Sequence, residues 1–109
     1  MIAVLLGAFA AHGLKNKLSE QLLVTFQTGV QYHFYHALGL IMIGLIASQV
    51  SSTGVRLSGW LMLSGIFLFS GSLYILAITG IRQLGMITPI GGVCFILAWA
   101  VLTITVFKQ

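Results

Sequence analysis

Residues 57–79, LSGWLMLSGIFLFSGSLYILAIT, run for 23 positions without a charged side chain. As a helix this stretch rises about 35 Å, enough to cross a hydrocarbon core of about 30 Å with some tilt. The same character extends on both sides. Residues 32–50 (YHFYHALGLIMIGLIASQV) and 89–107 (PIGGVCFILAWAVLTITVF) are apolar runs of spanning length, and residues 1–11 (MIAVLLGAFAA) form a fourth, shorter run. Glu20 is the one acidic residue in 109, 59% of the chain is hydrophobic and 6% is charged, against about a quarter charged in an ordinary soluble domain. The expected class is therefore all-α: an integral membrane four-helix bundle in a single domain, with helices over about 1–14, 19–50, 57–79 and 88–107.

The first run rises only about 16 Å and cannot span alone. Either that helix stays at one interface or the natural start lies upstream. Ala8-Phe9-Ala10 weakly matches a signal-peptidase site, but no basic segment precedes it and the apolar stretch before it is short, so no cleaved signal is expected. Three polar breaks divide the runs. In the first, Gly13 stops a helix, Lys15 and Lys17 follow, and Ser19 serves as N-cap with Glu20 in the first turn. Leu18, Leu22, Leu23, Phe26 and Val30 then recur at helical spacing, an amphipathic lead-in to the second span with Gly29 as the expected bend. Ser51-Ser52-Thr53-Gly54 with Arg56 forms the second break, and Gly80, Arg82, Gln83 and Gly85 form the third. Thr88-Pro89 then starts the last helix, Thr as cap and Pro at the first helical position.

The formal charge of +4 is spread over Lys15, Lys17, Arg56, Arg82 and Lys108, all between or beyond apolar runs. They are headgroup contacts and orientation signals, not a nucleic-acid surface. With four passes Lys15, Lys17 and Arg82 share one side, and Arg56 and Lys108 share the other, a balance too even to fix the orientation. The lone Cys94 has no partner for a disulfide or metal and is a small packing residue. Ala3, Gly7 and Ala11, and separately Gly44 and Ser48, recur at every fourth position and allow helices to approach closely, within the chain or against a second copy or another membrane protein. Trp99 lies deep in the last run and should point inward. Gly91-Gly92 lacks the following Lys and Ser/Thr of a phosphate loop.

The densest polar stretch enters the second span. Thr28, Tyr32, Tyr35, His36 and Gly39 share one helical face with His33 at its edge, and polar groups at membrane depth must face other helices or water. Two accounts stand. In one, His12, Gln27, Tyr32, His36, Ser70, Tyr74 and Thr88 line a polar pocket for a small molecule, a lipid headgroup or a proton. In the other, aromatic residues form an interfacial belt while His and Gln join helix to helix. A metal- or haem-dependent redox enzyme using His12, His33 and His36 is the alternative class, but three histidines without Cys or carboxylate make a poor ligand set, so no metal and no cofactor are expected. Proton-coupled drug efflux, known in small four-pass transporters, relies on an embedded carboxylate that this chain lacks.

Taken together, Gly7-Ala8-Phe9-Ala10-Ala11-His12-Gly13-Leu14, Phe26-Gln27-Thr28-Gly29-Val30-Gln31-Tyr32-His33, Tyr35-His36-Ala37-Leu38, Phe69-Ser70-Gly71-Ser72-Leu73-Tyr74 and Ile87-Thr88-Pro89-Ile90-Gly91-Gly92 resemble the YgdD/YwdK-like family of small bacterial inner-membrane proteins. The resemblance covers nearly the whole chain. It implies a four-helix protein of the bacterial cytoplasmic membrane and carries no substrate, cofactor or catalytic residue. Relatives usually carry an alanine-rich stretch with a basic tip before the first motif, which this chain lacks.

An even number of crossings puts both termini on one side. Cysteines introduced at positions 2 and 109 should then react with an impermeant maleimide from the same side of the membrane, and opposite accessibility would mean an odd number of passes.

Overall fold

The computed structural model describes residues 1–14, 16–50 and 52–108. The expectations placed on Lys15, Ser51 and Gln109 lie outside the described residues. Among those residues the chain is helical with no strand. It consists of α1 (Ile2–His12), α2 (Glu20–Gln49), α3 (Thr53–Thr79) and α4 (Thr88–Phe107), with a short 3₁₀ turn at Arg82–Met86 before α4. α2, α3 and α4 are each long and apolar enough to cross a membrane, whereas α1 has 11 residues. At 1.5 Å per residue α2 reaches about 45 Å, longer than the hydrocarbon core, so about its first ten residues are left for the interface.

The helix ends follow local chemistry. Ser19 caps α2, its hydroxyl oxygen accepting the Leu22 N–H at 3.2 Å. Ser52 caps α3 in the same manner through the Gly54 N–H, which starts that helix at Thr53 rather than at Leu57. Gly80 ends α3 in the left-handed conformation (φ 74°), where a side chain would be strained. Thr88 does not cap α4. It lies inside the first turn, Pro89 follows, and its hydroxyl is turned toward α3 instead. Gly29 does not break α2, which runs through it as one helix, and the residue is buried against Leu73 and Tyr74 of α3.

α3 is the central element, packed against α2 on one side and α4 on the other, while α1 packs antiparallel on α2. The Cα extents of 50 × 26 × 15 Å describe a flattened bundle. Two apolar clusters lie toward its two ends. One joins Ile43, Val55, Met62, Ala98 and Leu102, with Trp99 packed inward against it. The other joins Ala10, Leu14, Phe26 and Ala77, with Leu6, Leu23, Val30 and Tyr74 around it. On α1 the inward small residues are Ala3 and Ala10, with Gly7 against Val30, whereas Ala11 is exposed: a 3.6-residue turn brings position 10 rather than 11 back to the seam. Gly44 and Ser48 also face outward and mediate no approach within the chain.

α3 is not uniform. Residues Ile66–Ser70 form one π-helical turn, wider than the α-helix on either side. Where this turn meets α4, the backbones nearly touch. A methyl group added to Gly91 would collide with the Phe69 backbone nitrogen and come within 2.7 Å of the Phe69 Cα, whereas one on Gly92 would meet the Phe69 ring at an ordinary 3.9 Å. Backbone cannot move aside as a side-chain tip can. Gly91→Ala should therefore destabilise the protein by at least the ~1–3 kcal/mol typical of overpacking, and Gly92→Ala should leave thermal stability in detergent unchanged. Equal melting temperatures for the two variants would contradict this packing.

Candidate functional site

The polar groups of the spans gather along α3 where it passes α2 and α4, and they are joined chiefly by hydroxyls. Ser70, fully buried on the π turn, donates to the Gly29 carbonyl of α2 at 2.8 Å. Ser58, also fully buried, donates to the Ala98 carbonyl of α4 at 3.0 Å. The Ser72 and Thr88 hydroxyls lie 2.7 Å apart, joining α3 to the first turn of α4. In lipid such bonds satisfy groups that have no water to turn to, and they hold helices that hydrophobic burial does not.

His33 and His36 leave α2 toward different neighbours. His36 is buried (6% exposed), donates from Nδ1 to the Tyr32 carbonyl one turn back at 2.6 Å, and stacks on the Phe95 ring of α4 with centroids 3.5 Å apart and planes 10° from parallel. Trp99 and Phe69 complete this aromatic group, Phe69 touching both Phe95 and Tyr32. His33, half-buried, has Nδ1 2.9 Å from the Tyr74 hydroxyl of α3, and the Tyr74 ring in turn rests on Phe26.

Of the seven residues singled out by sequence, the structure brings five into this helix crossing: Tyr32, His36, Ser70, Tyr74 and Thr88. It does not bring them into one pocket. Tyr32 is 39% exposed at the outer edge, His36 and Ser70 are used in packing, and Thr88 pairs with Ser72. His12 and Gln27 are exposed and stand apart from the crossing. The inward face of α2 is Phe26, Gly29, His36, Gly39 and Ile43 with His33 beside it. Thr28 turns its hydroxyl back to the Val24 carbonyl, and Tyr35 is 53% exposed. The face was thus rotated from the polar stripe that the sequence suggested. Among the described residues no three His, Cys, Asp or Glu side chains are grouped so as to hold a metal ion.

The sequence pattern sets His33 at the edge of the polar face and outside the pocket, and it does not single out Ser72. His33 was recoverable: a helical face centred on Phe26, Gly29, Gly39 and Ile43, the residues whose size demands contact, includes it. Ser72 pairs with a residue 16 positions away through tertiary packing, for which no local pattern exists.

The His33–Tyr74 pair forms one wall of a cavity of about 420 Å³ between α1, α2 and α3. Ile2 and Leu6 of α1, Ala37 and Leu40 of α2, and Leu63, Ile66, Phe67 and Gly71 of α3 form the rest, so the lining is almost wholly apolar. Phe67, 70% exposed, and Ile2, 60% exposed, stand at its rim.

A family described as a protein of unknown function (DUF423) matches residues 6–92. Over 99% of its length the chain is 52% identical to the UPF0382 membrane protein YwdK of Bacillus subtilis, covering 89% of that protein. It is 53% and 55% identical to UPF0382 membrane proteins of Staphylococcus haemolyticus and Staphylococcus saprophyticus, again over 99% of the chain and 88% and 89% of theirs. No solved structure matches.

A double-mutant cycle on His33→Leu and Tyr74→Phe, followed by unfolding in detergent, should give a coupling energy of ~0.6 kcal/mol or more, the usual range for hydrogen bonds between membrane helices. Additive effects would mean that the two groups do not bond.

Proposed function

The chain belongs to the DUF423 family of membrane proteins, and we propose that it is a non-enzymatic binding protein for a lipid-soluble molecule with an apolar body and one polar group. The observation that carries this reading is the His33–Tyr74 pair on the wall of the apolar cavity. If the Tyr74 O–H donates to Nδ1, the opposite ring nitrogen carries a free N–H. If Nδ1–H donates, the Tyr74 O–H is free. Either way the pair keeps one donor, beside a space whose other surfaces are hydrocarbon. A ligand carbonyl or hydroxyl would satisfy that donor, and an apolar body would fill the space. Pockets of this size with few, placed polar groups are the usual form of small-molecule sites.

Binding rather than turnover is favoured by what surrounds the pair. The chain's one carboxylate, Glu20, begins α2, about 20 Å along the helix from His33. No nucleophile, base and orienting acid therefore assemble there. In this reading Tyr74 and His33 contact the ligand, while Tyr32, His36, Ser70 and Thr88 hold the helices in register. His12 and Gln27 lie outside the site. The Bacillus and Staphylococcus relatives, named as membrane proteins, support the bacterial cytoplasmic membrane as its location.

Gly71 supplies the test, because it lines the cavity and a methyl group added there meets nothing within 4 Å. Photolabelling of the purified protein with a diazirine-bearing long-chain alcohol should modify peptides around Phe67–Tyr74. Gly71→Leu should reduce that labelling several-fold with thermal stability retained, and Tyr74→Phe should weaken it. Undiminished labelling in Gly71→Leu would overturn the reading.

A further inference from the structure

At the membrane face where α2 begins and α3 ends, a second and larger cavity of about 530 Å³ opens between those helices. It is separate from the cavity beside His33. Ser19, Gln21 and Thr25 of the α2 start, Gly80 and Arg82 line it, and its surface is mainly polar. Its chemistry is one-sided. Among the described residues Arg82 is the one charged lining residue, and Glu20, though adjacent in sequence to Ser19 and Gln21, is not part of the lining. Ser19 uses its oxygen to accept the Leu22 N–H, so its own O–H remains to donate. Thr25 donates to the Gln21 backbone carbonyl at 3.1 Å, and the Gln21 side-chain amide supplies a further donor. Gly80, left-handed, turns the chain out of α3 so that Arg82 stands beside the first turns of α2.

Guanidinium, amide and hydroxyl donors around a space without a carboxylate suit an anion, and a planar guanidinium suits a phosphate in particular, which it engages with two parallel hydrogen bonds. The depth agrees. The cavity lies between the last turn of α3, where Leu76 lines it, and the first two turns of α2, where Leu22 does, at the ends of the spans and so near the level of lipid headgroups, where basic pockets between membrane helices hold anionic heads. Exposed Lys17, just before the Ser19 cap, adds positive potential at the same face. We propose that this cavity binds a phosphate group, supplied by an anionic lipid headgroup or by free phosphate, through Arg82, Gln21 and Ser19.

Native mass spectrometry of the detergent-purified protein, offered phosphatidylglycerol and phosphatidylcholine in equal amounts, tests this directly. Wild type should retain phosphatidylglycerol in preference. Arg82→Gln should lose about tenfold in retention, the equivalent of ~1.4 kcal/mol, and Gln21→Ala should lose less. Arg56→Gln, which removes a charge at the start of α3 on the opposite face, should change nothing. Displacement of the lipid by millimolar inorganic phosphate would assign the site to phosphate itself, and resistance would assign it to the lipid headgroup; both sustain the proposal. Equal retention by wild type and Arg82→Gln, or equal losses in Arg82→Gln and Arg56→Gln, would overturn it. Should Arg82→Gln melt early, the comparison passes to Gln21→Ala, whose undiminished retention would equally overturn the proposal. Gly71→Leu should retain phosphatidylglycerol as wild type does, so failure here and failure at the His33 cavity are separable.

Discussion

The close approach of α3 to its two neighbours is the constraint on which the structure depends. Lipid tails are as apolar as the helix faces, so burial gives little reason for membrane helices to associate, and packing and hydrogen bonds must do so. α3 meets this with two fully buried serines aimed at different neighbours, Ser58 at the Ala98 carbonyl of α4 and Ser70 at the Gly29 carbonyl of α2. Both bonds reach backbone carbonyls, and a hydroxyl reaches a carbonyl only where backbones run close. Gly91 against Phe69 and Gly39 against Met62 and Trp99 supply that closeness.

From that arrangement follows where polar chemistry is exposed. The groups packed against α4 are consumed by the contact: His36 of α2 lies flat on Phe95, and Ser72 of α3 pairs with Thr88. On the other side α1 has only 11 residues, and there His33 and Tyr74 face open space. At the membrane face the sharp turn at Gly80 leaves Arg82 beside the start of α2. The two cavities thus differ in kind, one apolar with a single polar pair, the other polar with a single cation, and both exist because helices of unequal length meet in a flattened bundle.

Much of this was legible in the chain. Charge depletion and run length yielded an all-α membrane protein with four helices, and Ser19 followed by Glu20 marked the start of α2. The site was legible only in part. Helical phase was read from the polar residues of α2, but the phase is set by what must fit against α3, so Tyr35 and Thr28 were placed inward and His33 at the edge. The Thr88-Pro89 signal located the helix start but misassigned the Thr88 hydroxyl, because the competing partner Ser72 comes from another element. The π turn left no local signature at all.

That turn also decides where the chain can vary in length. Between Ile66 and Ser70 the helix holds more residues per turn than an α-helix does, so the faces of α3 before and after it are set by one surplus position. Loss of a single residue there would let the turn close to ordinary α-helix, because the wider turn gives up about as much rotation as one α-helical residue supplies. The segment from Gly71 to Thr79 would then keep its phase relative to Ser58 and Met62. Loss of a residue between Met62 and Ile66 would instead swing that segment by about 100°, turning Tyr74 away from His33 while Val55 and Met62 stayed in their cluster. In the regular part of this span a one-residue deletion would act as a rotation, separating membrane insertion from correct assembly, whereas at the π turn it would be absorbed as it is in a loop.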